Sequence, residues 1–275
     1  MDKQSILITG CSSGIGLCTA KRLKQDGYRV FATARKTGDV EKLTQQGFES
    51  FLLDYADSDT IKTTVQKVLT ATGGTLYALF NNGAYGQPGA VEDLSREVLL
   101  EQFENNFFGW HELTNLVIPI MRKQGYGRII QNSSVLGLVA MRFRGAYNAS
   151  KYAIEGLNDT LRLELHGSNV FVSMIEPGPI SSRFRANALL YFKKNINTEN
   201  SYFKEQYKNL LKKLETEDPV VPFTLPADAV YAKVLKALTA KQPKAHYYVT
   251  FPTYLFGYLK RILSARVLDT LLRKI

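Results

Sequence analysis

Tyr147 and Lys151 stand four residues apart in Tyr147-Asn148-Ala149-Ser150-Lys151, and Ser134 lies thirteen residues before the tyrosine. On a helix, positions i and i+4 share a face, so the lysine ammonium can lie near the phenol. A neighbouring positive charge favours phenolate and lowers a phenol pKa from its usual value of about 10, which makes the tyrosine a usable proton shuttle at neutral pH. Ser134 follows an apolar run and can donate a hydrogen bond to a carbonyl oxygen. Together the three can carry out acid–base chemistry on a carbonyl compound. The Tyr/Lys pair alone also suits an ordinary exposed helix face, so its weight comes from the rest of the chain.

The elements that would position the trio begin at the N-terminus. Ile6-Leu7-Ile8 reads as a short buried parallel strand. Thr9-Gly10-Cys11-Ser12-Ser13-Gly14-Ile15-Gly16 follows, and then a helical stretch to about Asp26. Glycines at 10, 14 and 16 allow a tight turn and close backbone approach. The helix start offers free N–H groups and a partial positive charge to a pyrophosphate. The spacing is G-x-x-x-G-x-G, not the common G-x-G-x-x-G, but the strand–turn–helix context points to nucleotide binding. Ser12 and Ser13 can add a hydroxyl contact. The second strand, Arg29–Ala34, runs into Arg35-Lys36. An acidic residue here would select NAD through a ribose hydroxyl; two cations suit a 2′-phosphate, and arginine presents a planar fork to it. The expected cofactor is NADP(H).

Five stretches now stand in a fixed order: Thr9-Gly10-x3-Gly14-x-Gly16, Asn81-Asn82-Gly83-Ala84, Ser134, Tyr147-x3-Lys151 and Pro177-Gly178. This chain resembles the short-chain dehydrogenase/reductase family over about residues 4 to 182. It also looks like the NADP-dependent aldehyde reductases of bacteria, related to retinol and hydroxysteroid dehydrogenases. The resemblance implies roles residue by residue. Tyr147 is the general acid in reduction, Lys151 lowers its pKa and bonds the nicotinamide ribose, and Ser134 polarises the substrate carbonyl. Asn106 matches the fourth catalytic residue, which holds a water in a proton relay to Lys151; its neighbour Asn105 fits the spacing to Gly109 less well. Asp54 matches the acid at the adenine ring, with Tyr55 beside it, and Asn82 and Gly83 line the cofactor. Pro177, Gly178, Ile180 and Ser182 match the loop that orients the nicotinamide amide. One departure is the order Gly83-Ala84, where the family usually has alanine and then glycine; the flexible stretch Tyr85–Gly89 should absorb the exchange.

The 275 residues suit a single α/β domain, residues 1–275, in which apolar runs alternate with amphipathic stretches. That alternation predicts a Rossmann-type, doubly wound parallel sheet. Later strands are expected at 76–80, 128–133, 170–175 and 246–249, and helices at 58–72, 101–124 and 147–166. Residues from about 183 to 226 mix aromatic, aliphatic and lysine residues, and the resemblance makes them a substrate lid over an apolar pocket. Nothing resembling a secretory leader opens the sequence, so a cytoplasmic location is expected. Cys11 and Cys18 have neither zinc spacing nor the number for a disulfide scaffold; Cys11 belongs to the cofactor loop and Cys18 packs. His111, His166 and His246 are scattered, and no metal is expected.

The formal charge is +10, and residues 241–275 hold seven Lys or Arg against Asp269 alone. No recognition motif for nucleic acid accompanies this charge. Residues from about 254 to 275 place Leu255, Leu259, Ile262, Leu263, Val267, Leu271 and Leu272 at helical spacing with Lys260, Arg261, Arg266, Arg273 and Lys274 between them. An amphipathic helix of this kind either packs on its own domain or subunit, or lies peripherally on a membrane.

Two functional readings follow. One is an NADP(H)-dependent reductase of an apolar aldehyde or ketone, or a dehydrogenase of retinoid or steroid alcohols. The other is a nucleotide-sensing protein without catalysis, which the presence of Ser134, Tyr147 and Lys151 disfavours. The resemblance implies a homodimer or homotetramer paired through the helices of Asn106 and Tyr147.

Overall fold

The computed structural model describes residues 3–216 and 221–274. Strands β1 (Ser5–Ile8), β2 (Arg29–Ala34), β3 (Glu49–Leu52), β4 (Ala78–Asn81), β5 (Gly127–Asn132), β6 (Val170–Glu176) and β7 (His246–Tyr248) form one sheet in the order β3-β2-β1-β4-β5-β6-β7. Every neighbouring pair is parallel. The first helices are α1 (Gly14–Gln25), α2 (Thr37–Gln45), α3 (Ser58–Thr72), α4 (Arg96–Phe103), α5 (Gly109–Gln124) and α6 (Gly145–Glu164). They are followed by α7 (Phe184–Asn195), α8 (Lys204–Glu215), α9 (Asp228–Thr239), α10 (Phe251–Ile262) and α11 (Ala265–Leu272).

Both faces of the sheet are covered, which is why β1 is buried along its whole length. Alternate residues serve opposite sides. Ile6 and Ile8 pack with Val30, Phe80, Val230 and Val234 beneath α1 and α9. Leu7 packs with Phe31, Leu79, Trp110 and Leu113 beneath α3, α5 and α6. Local signals set the ends of α3. The Asp57 carboxylate accepts from the N–H groups of Asp59 and Thr60 at 3.0 and 3.4 Å, and Gly73 ends the helix at φ 68°. The sheet order reverses between β1 and β4, so the loops at their carboxyl ends part and leave a crevice.

Two expected helices are interrupted. The stretch 101–124 is not one helix: α4 ends at Phe103, a π-helical turn runs over Glu104–Phe108, and α5 begins at Gly109. The turn is fixed by tertiary contacts, with Gly109 against the Tyr55 backbone and the Asn106 side chain gripping Tyr85. The C-terminal helix is likewise two, α10 and α11, because Leu263 and Ser264 are extended at ψ 144° and 154°. The expected substrate-lid region holds α7 and α8, and its residues 217–220 lie outside those described, as do 1, 2 and 275.

Candidate active site

The crevice floor is built from backbone packed on backbone. Gly10 has φ 66°, and a Cβ there would stand 2.5 Å from the Gly83 Cα, so the loops after β1 and β4 touch through their main chains. Thr9 locks them together: its hydroxyl oxygen accepts from the N–H groups of Asn82 and Gly83 at 2.8 and 3.1 Å. The Asn82 amide donates back to Thr9 O at 2.9 Å, and its oxygen accepts from Asn132 at 2.9 Å. Ser13 precedes α1 in extended conformation and makes no capping bond, which leaves the helix N–H groups facing the crevice. Ser12 is exposed and Ile15 half-buried at that mouth, while Gly16 lies against Gly10 O. Cys11 turns the other way, into the core, and burial pushes its thiol up to about 12. Ser182 closes on the loop from the opposite side, its Cβ near Gly14.

Arg35 and Lys36 leave the end of β2 exposed, with Lys36 at the start of α2. Asp54 and Tyr55 follow β3. The Asp54 carboxylate accepts from Ala56 N at 3.1 Å. The Tyr55 hydroxyl does not reach outward: it lies 2.7 Å from Thr9 Oγ1 and donates to Asn81 Oδ1 at 2.8 Å. Its ring runs beneath Gly83, where a Cβ would come 3.2 Å from Cε2. The glycine of the inverted Gly83-Ala84 pair is therefore the one that makes room for Tyr55. Trp110 completes the packing by donating Nε1–H to Gly83 O at 2.8 Å.

Ser134, Tyr147 and Lys151 gather on the far side of the crevice. Ser134 is extended after β5, and its Oγ accepts from Leu136 N at 3.1 Å and lies near enough to Tyr147 to lower the phenol pKa. Tyr147 and Lys151 lie on one face of α6, both buried. The lysine Nζ donates to Asn132 O at 2.8 Å and sits 4.3 Å above the Trp110 ring and 5.5 Å from that of Tyr147. Burial governs the charges here. It raises the Tyr147 phenol above its ordinary value, against the lowering effect of the nearby Ser134 hydroxyl, and pulls Lys151 down to about 7. Burial thus works against the positive charge that the i, i+4 spacing suggested. Asn106 is fully buried in the π-helical turn; its amide donates to Tyr85 O at 2.9 Å and Ser150 Oγ at 3.3 Å and accepts from Tyr85 N at 3.1 Å. Asn105 instead donates back to Glu101 O in the last turn of α4. Val135 N–H bonds Pro177 O at 2.8 Å and ties the loop of Pro177 and Gly178 to Ser134, and Ile180 pairs with Leu225.

Helix α7 roofs the site. Phe184 meets the Tyr147 ring edge-on at 5.3 Å. One helix face further along, Tyr191 stacks on Tyr85 at 3.9 Å, and its hydroxyl accepts from Arg35 Nη1 at 3.2 Å. These contacts join residues 37 to 156 apart in sequence, and no local pattern announces them. Another missed arrangement involves a histidine read as isolated. His246 Nδ1 lies 2.6 Å from the carboxylate of Glu176, which is fully buried, and 3.8 Å from that of Glu155, whose other oxygen accepts from Ser133. The three residues come from β7, β6 and α6, so only the fold assembles them. Glu176 raises the His246 pKa. His246→Leu strands a buried carboxylate and is expected to cost about 2 to 3 kcal/mol in urea unfolding, below the value for a fully buried pair because the ring is partly exposed.

The residues present fit a nicotinamide dinucleotide: an uncapped helix start, a glycine cradle that a Cβ would fill, a strand end bearing cations, and a buried Tyr/Lys/Ser group. Residues 4–189 match the short chain dehydrogenase family, and the chain belongs to it as an oxidoreductase. It is 41% identical to the oxidoreductase YbbO of Escherichia coli strain K12, across 98% of this chain and 94% of YbbO. It is 29% identical to the NADPH-dependent 3-dehydrocapnine reductase of Ornithobacterium rhinotracheale, across 98% of this chain and 95% of that protein. Among solved structures, a short-chain dehydrogenase from Streptomyces avermitilis shares the fold, with a TM-score of 0.79 at 24% identity over 99% of this chain and 94% of its own. Among the described residues no helix is long and apolar enough to cross a membrane.

Proposed function

We propose that this oxidoreductase uses NADPH to reduce an apolar aldehyde or ketone to its alcohol. The observation that carries the reading is the grouping of buried Ser134, Tyr147 and Lys151 in one crevice, roofed by Phe184 and Tyr191. Bound NADPH supplies a hydride to the carbonyl carbon. Ser134 orients the carbonyl oxygen, and Tyr147 holds the proton that oxygen receives. A phenol whose pKa burial has raised keeps its proton at neutral pH, which suits an acid rather than a base in the resting site. Lys151 moves a proton toward Tyr147, and Asn106 fixes the loop of Tyr85 beside it. The aromatic roof excludes water and favours an apolar substrate. Arg35 and Lys36 hold the 2′-phosphate, and the start of α1 holds the pyrophosphate. Ser12, Ser13, Gly14, Ile15, Gly16, Asp54, Asn82, Gly83, Pro177, Gly178, Ile180 and Ser182 line the remainder of that binding surface. The NADPH dependence in the name of the Ornithobacterium relative, and its description as a reductase, support the direction and the cofactor.

The test is loss of the reduced-nicotinamide absorbance with NADPH or NADH and a panel of medium-chain aldehydes, aromatic aldehydes and ketosteroids. Turnover with NADPH on one of these classes is the expected result. Silence across the panel with tight NADPH binding moves weight to a sensing role. A pH series gives a second check. Lys151 is protonated below about 7 and neutral above it. Reduction consumes a proton, so its rate should fall as pH rises through neutrality, and a rate that climbs there counts against Lys151 as the proton source.

A further inference from the structure

We propose that the outward face of α10 and α11 docks in the plane of an anionic lipid surface. Helix α10 is apolar on two sides. Thr253, Phe256 and Gly257 face inward and are buried. Outward, Phe251, Tyr254, Leu255, Tyr258 and Ile262 fall at spacings of three, four, seven and eleven from the first, which is one continuous helical stripe. Phe251, Tyr258 and Ile262 are 56%, 57% and 78% exposed. Phe223, itself exposed, extends the patch by packing on Phe251 at 5.0 Å. In α11, Leu268 and Leu272 pack inward against the cluster of Val135, Val139 and Phe256, whereas Val267 and Leu271 stay open. Packing on the domain therefore uses one face of each helix and leaves the other uncovered.

Charge selects the occupant. Residues 241–275 carry seven cations and one acid; Arg261, Arg266, Arg273 and Lys274 are exposed on or just after these two helices, whereas Lys260 turns to α6, its Nζ donating to the Tyr152 hydroxyl at 3.3 Å. None of these four exposed cations forms an ion pair among the described residues. Two copies meeting through this face bring cations against cations, which disfavours self-association. An anionic bilayer meets both needs: apolar and aromatic side chains enter the boundary region while Lys and Arg stay at the phosphates. With no helix able to span, the helices lie along the surface. The patch adjoins the crevice. Helix α10 starts beside Gly178, whose added Cβ would touch Thr250 Oγ1 at 2.1 Å, and Leu225, two residues after Phe223, pairs with Ile180. Docking thus sets the site entrance at the surface where an apolar carbonyl compound partitions; only this last consequence rests on the proposed reaction.

The experiment is co-sedimentation of the full chain with phosphatidylglycerol/phosphatidylcholine vesicles and with phosphatidylcholine alone, at low and high salt. Binding to the anionic vesicles that weakens with salt is expected. Replacing Arg266 and Arg273 by glutamine should weaken it roughly 30-fold, at about fivefold for each charge. Tyr258→Ser with Ile262→Ser should also release the protein while the melting temperature and NADPH binding stay unchanged. Equal indifference to both vesicle types at low salt overturns the proposal. So does vesicle binding that survives the serine changes, and so does a dimer that those changes dissociate without altering vesicle binding.

Discussion

Tyr147→Phe should slow carbonyl reduction by about 10³-fold, a barrier increase of roughly 4 kcal/mol, while NADPH affinity stays near the wild-type value. The substitution keeps the ring, its burial and the edge contact with Phe184 at 5.3 Å. It deletes one hydroxyl, whose pKa the nearby Ser134 lowers. A change confined to the proton donor lowers kcat and leaves ground-state binding nearly intact. Comparable turnover by the two proteins removes Tyr147 from the chemistry. A fall in kcat accompanied by an equal loss of NADPH binding instead assigns the hydroxyl to holding the site together.

Arg35→Asp should reverse cofactor preference, weakening NADPH and improving NADH by a combined factor on the order of 10² or more. Arg35 stands exposed at the end of β2 and bonds the Tyr191 hydroxyl at 3.2 Å. Its fork suits two phosphate oxygens, and each charge-assisted hydrogen bond lost costs about 1.5 to 3 kcal/mol. Aspartate at this strand end accepts instead from a ribose 2′-hydroxyl and repels a 2′-phosphate. The ratio of kcat/KM values for the two cofactors reads the effect directly. An unchanged ratio sinks the assignment of Arg35 and leaves Lys36 as the next cation to replace.

The sheet was legible because buried parallel strands leave short apolar runs, as in Ile6–Ile8 and Val170–Val172. The glycine loop was legible because its spacing sits between such a strand and a helix. The break between α4 and α5 was not, since apolar periodicity runs through Phe103, Phe107 and Phe108 without interruption. What creates the π-helical turn is contact with Tyr55 and Tyr85, and such contacts leave no periodic trace. The division of the tail at Leu263 and Ser264 was hidden for the same reason, because the leucine pattern continues across it. The protonation of Tyr147 and Lys151 was the least legible. Spacing gives their proximity, but burial sets their protonation, and burial is a property of the assembled fold. The cluster of Glu155, Glu176 and His246 shows the same limit across three elements.

The hydrogen bond between Tyr191 and Arg35 joins the roof over the reacting groups to the strand end that the proposed 2′-phosphate would occupy. A phosphate that takes both terminal nitrogens of the guanidinium competes with that tyrosine for Nη1. Roof opening and nucleotide binding are then two ends of one equilibrium, and whatever factor the first changes the second by must operate in reverse as well. A bulky carbonyl compound that lifts α7 should therefore tighten the grip on NADPH, and Tyr191→Phe should uncouple the two affinities without removing either site.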